Sequence, residues 1–257
     1  MDEEIILFLK NIITKAGDLA IDLRNKELIV NRKEDKSPVT NADIAISNFI
    51  YENLTSLDLK FPIICEEQPI INLNGSRYFW LVDPIDGTKS FIRNEDNFTI
   101  NIALICDRKP ILGFVYQPAC GKLYYTDHLQ KLHIEINGQI YNYNTNTNRE
   151  KSDLVAIVSS HHFNQQTAKY LKDHKFSEII SVPSSIKFCM IAEGVGDVYP
   201  KFGPTMEWDT AAGHAIVNAS GGKVVDLSGK SLLYEKNRFK NSDFLVFGNQ
   251  CLHRFNL

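Results

Sequence analysis

The stretch WLVDPIDGTKSF, Trp80 to Phe91, constrains this chain more than any other. An apolar run that reads as a buried strand ends at once in two aspartates three residues apart, Asp83 and Asp86, with Pro84 between them and Gly87 behind. Asp-Pro and Asp-Gly are common turn dipeptides, so an ordinary turn is one reading. A place to hold a cation is the other. The same coincidence of acid and element end recurs. Glu66 and Glu67 follow the apolar strand in FPIICEE, Asp209 sits at the start of the helix in EWDTAAGHAIVNASGG, and Asp43 opens the helix of NADIAISNFIYENL. Taken singly, Asp209 reads as a helix N-cap and the two glutamates as solvated charge. Taken together, these are acids placed where side chains can converge on a cleft without unravelling a core.

The resulting donor set is rich in oxygen and free of sulfur. Mg²⁺ takes carboxylate, carbonyl and water oxygens, whereas zinc asks for histidine or cysteine. The histidines are dispersed except for His161-His162, which lacks the H-E-x-x-H spacing. Two divalent ions about 4 Å apart activate a water and stabilise the leaving oxygen of a phosphate ester, which demands about four carboxylates with one of them shared. Gly87 lets backbone N–H groups approach a phosphate, and a helix starting after Thr88 adds its positive end. The three-residue spacing with an internal proline departs from the D-x-D-G-T of aspartate-nucleophile phosphatases. There is no G-x-x-x-x-G-K-[ST] loop and no G-x-S-x-G elbow.

Periodicity predicts a first helix over about 3–25, a polar loop at 31–40 and a second helix over 41–54. Strands follow in FPIICEE and RYFWLVDP, then an antiparallel meander over 98–127. The asparagine-rich stretch 142–153 is the expected boundary between an α+β half, 1–150, and an α/β half, 151–257, in which strand and helix alternate. With 28 basic and 31 acidic residues the formal charge is −3, which offers no field for nucleic acid. Five scattered cysteines form no C-x-x-C pair, so a disulfide framework is not expected and a reducing cytoplasm is. The apolar N-terminal stretch is preceded by acids and cut by Lys10, which suits an amphipathic helix rather than a signal peptide, and no run is long enough to span a bilayer.

With CEE, WLVDPIDGTKSFI and WDTAAGHAIVNASGG in that order, and DKSPVTNADIAI ahead of them, the chain resembles the inositol-monophosphatase superfamily of Mg²⁺-dependent, lithium-sensitive phosphatases. The segment 184–216 is similar to the bacterial CysQ subgroup, the 3′(2′),5′-bisphosphate nucleotidases. Pro183 stands where a glycine commonly precedes the Ser-Ser pair of that subgroup. The resemblance implies a mixed α/β, layered αβαβα fold with the site between halves. It implies two Mg²⁺ ions, with a third left open: Glu66, Asp83 and the Ile85 carbonyl hold one, and Asp83 bridges to a second completed by Asp86 and Asp209. It implies that Thr88 and Asp43 orient the attacking water with help from Glu67, and that Gly87 and Thr88 hold the scissile phosphate. Ser184, Ser185 and Lys187 are the candidates for the rest of a nucleotide bisphosphate, and Glu66, Ile85, Asp86 and Asp209 also border the substrate.

The reaction implied is adenosine 3′,5′-bisphosphate to AMP and phosphate, in sulfur metabolism, with the sulfated analogue (PAPS to APS) left open. Inositol or sugar monophosphates are the rival substrates within the family, and a non-catalytic nucleotide or metal sensor is the rival of another class. The resemblance also allows a peripheral association with the inner face of the cytoplasmic membrane. Substrate preference and oligomeric state stay open.

Overall fold

The computed structural model describes residues 3–26, 28–141, 154–161 and 163–257. The expected boundary at 142–153 and His162 lie outside them. Helix α1, Glu3–Arg24, is followed by strands β1, Val30–Arg32, and β2, Pro38–Thr40, and by helix α2, Asn41–Ser56. Strands β3, Ile63–Cys65, and β4, Tyr78–Asp86, lead into the short helix α3, Thr88–Ile92. The expected meander over 98–127 comprises β5, Thr99–Cys106, β6, Lys109–Gln117, and β7, Lys122–Thr126, and it continues past those bounds into β8, Leu132–Ile136, and β9, Gln139–Ile140. Then come β10, Val155–Ser159, α4, Gln165–His174, β11, Glu178–Val182, α5, Ile186–Ala192, β12, Val198–Lys201, α6, Ala211–Ala219, β13, Lys223–Asp226, and β14, Phe244–Phe247.

Strands β3 to β9 form one sheet in chain order, antiparallel except for the β3–β4 pair. The second sheet runs β11-β10-β12-β14-β13 and is mixed: β10 is parallel to both neighbours, while β14 is antiparallel to both of its own. Alternation along β4 shows why the large sheet is covered on both faces. Trp80 and Val82 pack with α1 and α2, around Leu9, Ile13, Ile46 and Ile50. Phe79 and Leu81 point the other way, into a core shared with Phe188, Ile216, Ile157 and Val246. That second core is built on α5 and α6, which lie between the sheets. Helix α4 packs against β12. The order is helix, sheet, helix, sheet, helix, the αβαβα layering.

A helix between two sheets must be thin. A Cβ on Gly113 of β6 would stand 2.3 Å from the Ala212 carbonyl oxygen of α6, and one on Gly213 would stand 2.4 Å from the Phe188 ring of α5. The small-residue composition of TAAGHAIVNA is therefore a packing requirement.

Several expectations change. The polar loop at 31–40 holds most of the β1–β2 ribbon, whose β1 is exposed throughout and whose three-residue strands are too short to carry an apolar period. Strand β4 does not end with the RYFWLVDP run but continues to Asp86 through an irregularity between Asp83 and Asp86, which is where Pro84 falls. Strands β11 and β12 were not foreseen: β11 is an edge strand with an exposed pattern, and β12 carries Pro200. Asp209 is not an N-cap, because α6 starts at Ala211 with Thr210 at the cap position.

Gly113→Ala is expected to destabilise the chain by about 1–3 kcal/mol, since a backbone carbonyl cannot rotate away from the added methyl. Urea unfolding would measure it, and an unchanged midpoint would refute the close packing of β6 on α6.

Candidate active site

The cleft has a volume of about 460 Å³ and is lined by residues from 35–38, 66, 86–89, 159–161, 183–188 and 199–210. Several local devices deliver the acids at and behind it. Glu66 begins the turn that follows β3, its N–H bonded to the Val82 carbonyl at 3.1 Å. Asp83 and Asp86 flank the irregularity at the end of β4. Asp43 is the N3 residue of α2 in a capping box: its Oδ2 accepts from the Thr40 N–H at 2.8 Å and from the Thr40 hydroxyl at 2.5 Å. Asp209 precedes α6, and its Oδ2 accepts from the Met206 N–H at 2.8 Å.

The sequence placed these acids far apart, and the chain brings them within electrostatic reach of one another. Asp83 is 1% exposed and its Oδ1 is buried with no hydrogen-bond partner. Burial, then the charges of Glu66, Asp86 and Asp209, push its carboxyl well above the ordinary range. Asp209 is driven the same way by burial, Asp86 and Glu66, against the Met206 N–H. Burial raises Glu66, opposed by Lys33, and Asp86, opposed by Lys187. Burial also raises Glu67, opposed by its bond from Lys33, and lifts Asp43 to about 6 against the bonds from Thr40.

These residues fit a hard divalent ion by donor chemistry and by the orphaned buried Oδ1 of Asp83. Among the described residues no three acidic, histidine or cysteine side chains stand close enough together to clasp one as they are. Instead Lys33 Nζ bridges Glu66 Oε1 at 2.6 Å and Glu67 Oε1 at 2.5 Å. Lys33 entered the sequence reading only as part of a polar loop, and nothing in its local pattern marks it out.

The other predicted residues are placed as follows. Gly87 has φ of +94°, and a Cβ there would press on the Asn97 carbonyl oxygen at 3.1 Å and on Ser184 Cβ at 3.4 Å. It joins β4 to α3 where only glycine fits well. The Thr88 hydroxyl is 3.4 Å from Asp43 Oδ1 and 3.2 Å from the Ile85 carbonyl oxygen, to which it donates. Lys187 is buried and lines the cleft, with Nζ donating to the Ser184 carbonyl. Burial lowers it to about 8 against the pull of Asp86. Ser184 borders the cleft, but Ser185 turns inward, with its Oγ 2.8 Å from Thr99 Oγ1 and 2.7 Å from Asn101 Oδ1. Lys89, Lys201 and Tyr199 also line the cleft and were not singled out in the sequence; His161, set aside there for lacking metal-ligand spacing, lines it too.

Residues 1–250 match the inositol monophosphatase family. The chain belongs to that family. The CysQ 3′(2′),5′-bisphosphate nucleotidase of Salmonella typhimurium is 40% identical over 239 residues, covering 90% of this chain and 94% of that protein. The CysQ nucleotidase of Escherichia coli K12 is 39% identical with the same coverage. Among solved structures, CysQ from Bacteroides thetaiotaomicron superposes with a TM-score of 0.81 at 31% identity, covering 95% of this chain and 96% of that one. An IMPase/NADP phosphatase solved with Mg²⁺ and phosphate shares the fold with a TM-score of 0.78 at 21% identity over 98% of this chain and 92% of its own. This family member is thus a homologue of phosphomonoesterases, and no described helix of it is long and apolar enough to cross a membrane.

The acid cluster sets a sign for pH dependence. A carboxyl whose folded pKa is raised favours the folded state when protonated. That contribution is complete below the unfolded value and is lost as pH rises through the folded one, from 3.8 to about 6 for Asp43. In chelator, Asp83→Asn is therefore expected to melt above the wild type at pH 8, by ~2 °C or more, with the gap closing towards pH 4. Added Mg²⁺ should raise the wild type more than the variant. Thermal melts across pH with and without Mg²⁺ test this, and a variant less stable in chelator at pH 8 would contradict it.

Proposed function

We propose that the protein is a Mg²⁺-dependent phosphatase that removes the 3′-phosphate of adenosine 3′,5′-bisphosphate, giving AMP and phosphate. The observation that carries this reading is the mixed lining of one cleft. The acids Glu66, Asp86 and Asp209 share it with the cations Lys187, Lys201 and Lys89, and Asp83 lies buried behind. Acids alone suit a cation. Acids and lysines together suit a substrate with two phosphates, one to meet the cation and one to meet the lysines. The CysQ relatives support the choice of a bisphosphate nucleotide.

Glu66, Asp83, the Ile85 carbonyl, Asp86 and Asp209 would hold two Mg²⁺ ions, with Asp83 shared. When bound, Mg²⁺ supplies Lewis-acid neutralisation of the phosphate charge and lowers the proton affinity of water. The chain's own residues do the rest. The Thr88 hydroxyl and Asp43 form a hydrogen-bonded pair that orients the attacking water and takes up its proton, with Glu67 and Lys33 setting the local charge. Backbone N–H groups of Gly87 and Thr88 hold the scissile phosphate. Water attacks phosphorus opposite the 3′ oxygen, the bond from phosphorus to that oxygen breaks, and the departing 3′ oxygen gains a proton. Lys187, aided by Ser184, receives the second phosphate. Ser185 contributes by fixing the loop behind it rather than by direct contact. The segments 1–150 and 151–257 are taken as the two walls of the cleft.

Phosphate release from adenosine 3′,5′-bisphosphate and from inositol 1-phosphate, measured side by side, tests the substrate. Preference for inositol 1-phosphate would move the assignment to the monophosphatase rival, and binding without turnover would move it to a sensor. Asp83→Asn is expected to lower kcat by ~100-fold or more, because one carboxylate serves both ions. Lys187→Ala is expected to raise KM for the bisphosphate by about tenfold while leaving a simple monophosphate ester nearly unaffected, the loss of one charge-assisted contact. Equal effects on both substrates would remove Lys187 from the second-phosphate role.

A further inference from the structure

Asp209 stands in a turn, Thr205–Thr210, that precedes α6 rather than inside a helix or strand, so something else must fix its direction. The segment Tyr234–Asn241 grips that turn at every level. Along the backbone, the Glu207 N–H donates to the Phe239 carbonyl at 2.8 Å, the Asn241 N–H donates to the Thr205 carbonyl at 2.9 Å, and Met206 pairs with Lys240 in an isolated antiparallel bridge. Through side chains, Asn241 Nδ2 donates to the Met206 carbonyl at 2.7 Å and lies 3.1 Å from both Thr205 Oγ1 and Thr210 Oγ1. The Met206 carbonyl can only accept, which fixes the amide nitrogen on this side. Glu207 has no exposed surface. Its Oε2 accepts from the Glu235 N–H at 2.9 Å, and its Oε1 accepts from the Lys236 N–H at 2.8 Å and pairs with Lys236 Nζ at 2.8 Å. The gripped residue Met206 is the one whose N–H holds Asp209 Oδ2.

Two features argue that the grip serves direction rather than stability. Asn241 Oδ1 is buried without a partner, which costs about 1–3 kcal/mol. A buried carboxylate paired with lysine is commonly replaceable by apolar side chains at no loss of stability. Hydrogen bonds to fixed acceptors do what apolar packing does not: they set an angle.

We infer that Tyr234–Asn241 is a clamp that aims Asp209 into the cleft, with Asn241 and Glu207 as its positioning residues. The inference rests on the reading that Asp209 holds a divalent ion. Loss of a partner that orients a metal ligand costs typically 10–100-fold in metal affinity. The probe is Mn²⁺, titrated into the full chain and followed by the electron paramagnetic resonance of free Mn²⁺. Asn241→Leu and Glu207→Gln are compared with wild type, with Asp209→Asn, and with Leu171→Ala, a destabilised control in α4.

The two clamp variants are expected to weaken one Mn²⁺ site by about 10–100-fold and to lower kcat with KM little changed. Leu171→Ala should lower the melting temperature yet bind as wild type. Wild-type Mn²⁺ binding by both folded clamp variants would overturn the inference. If Asn241→Leu does not fold, Glu207→Gln, which keeps size and shape, decides alone. If Asp209→Asn binds Mn²⁺ as the wild type does, the metal role of Asp209 falls, and the clamp's purpose with it.

Discussion

Like charges held together out of water are the constraint on which the rest of this structure depends. Asp83 is buried among Glu66, Asp86 and Asp209, and each acid raises the cost of ionising the others. Left to themselves such groups protonate or move apart. The chain counters with cations at the margin, Lys33 on Glu66 and Glu67 and Lys187 near Asp86, and with backbone donors at Asp43 and Asp209. None of these reaches the Asp83 Oδ1, which is why the donor chemistry points to a cation from outside the chain.

Holding repelling groups in place requires stiff supports. Strand β4 is buried on both faces and paired with β5 along one edge and with β3 over Trp80–Val82 on the other, so Asp83 and Asp86 extend from a strand held on all sides. Helix α6 is fixed by a different means. It lies close enough to Gly113 and Phe188 that added atoms would collide, and it links the two sheets sterically. Asp83 and Asp86 on β4 and Asp209 just ahead of α6 therefore start from elements fixed by tight packing.

Much of this was legible in the residues, for identifiable reasons. Helices α1 and α2 showed because half-buried helices have an apolar period, and the strands over 98–127 showed because their turns are punctuated. The acid positions showed because they coincide with element ends, a pattern that needs no tertiary knowledge. What stayed hidden had no local signal. The β1–β2 ribbon is too short and β11 too exposed to alternate, and β12 contains a proline. Lys33 and Lys201 looked like any solvated lysines, because the acids that Lys33 bridges and the cleft that Lys201 lines are brought to them by chain segments distant in sequence. The inward hydrogen bonds of Ser185 to Thr99 and Asn101, beside Ser184 at φ of +53°, likewise join residues more than eighty positions apart.

The acids also differ in how far local structure alone can place them, and that difference explains the reach of the clamp. Asp43 is fixed by its own capping box within four residues, and Asp83 and Asp86 by a strand. Asp209 has only a turn, whose conformation one backbone bond from Met206 cannot specify. A side chain that must meet three others tolerates little angular error. The missing rigidity has to come from elsewhere in the chain, and Glu207 and Asn241 supply it through bonds that close the turn onto residues some thirty positions later. The tryptophan and aspartate of the EWDT run announce the site, but the glutamate beside them makes sense only once the folded chain brings Lys236 against it.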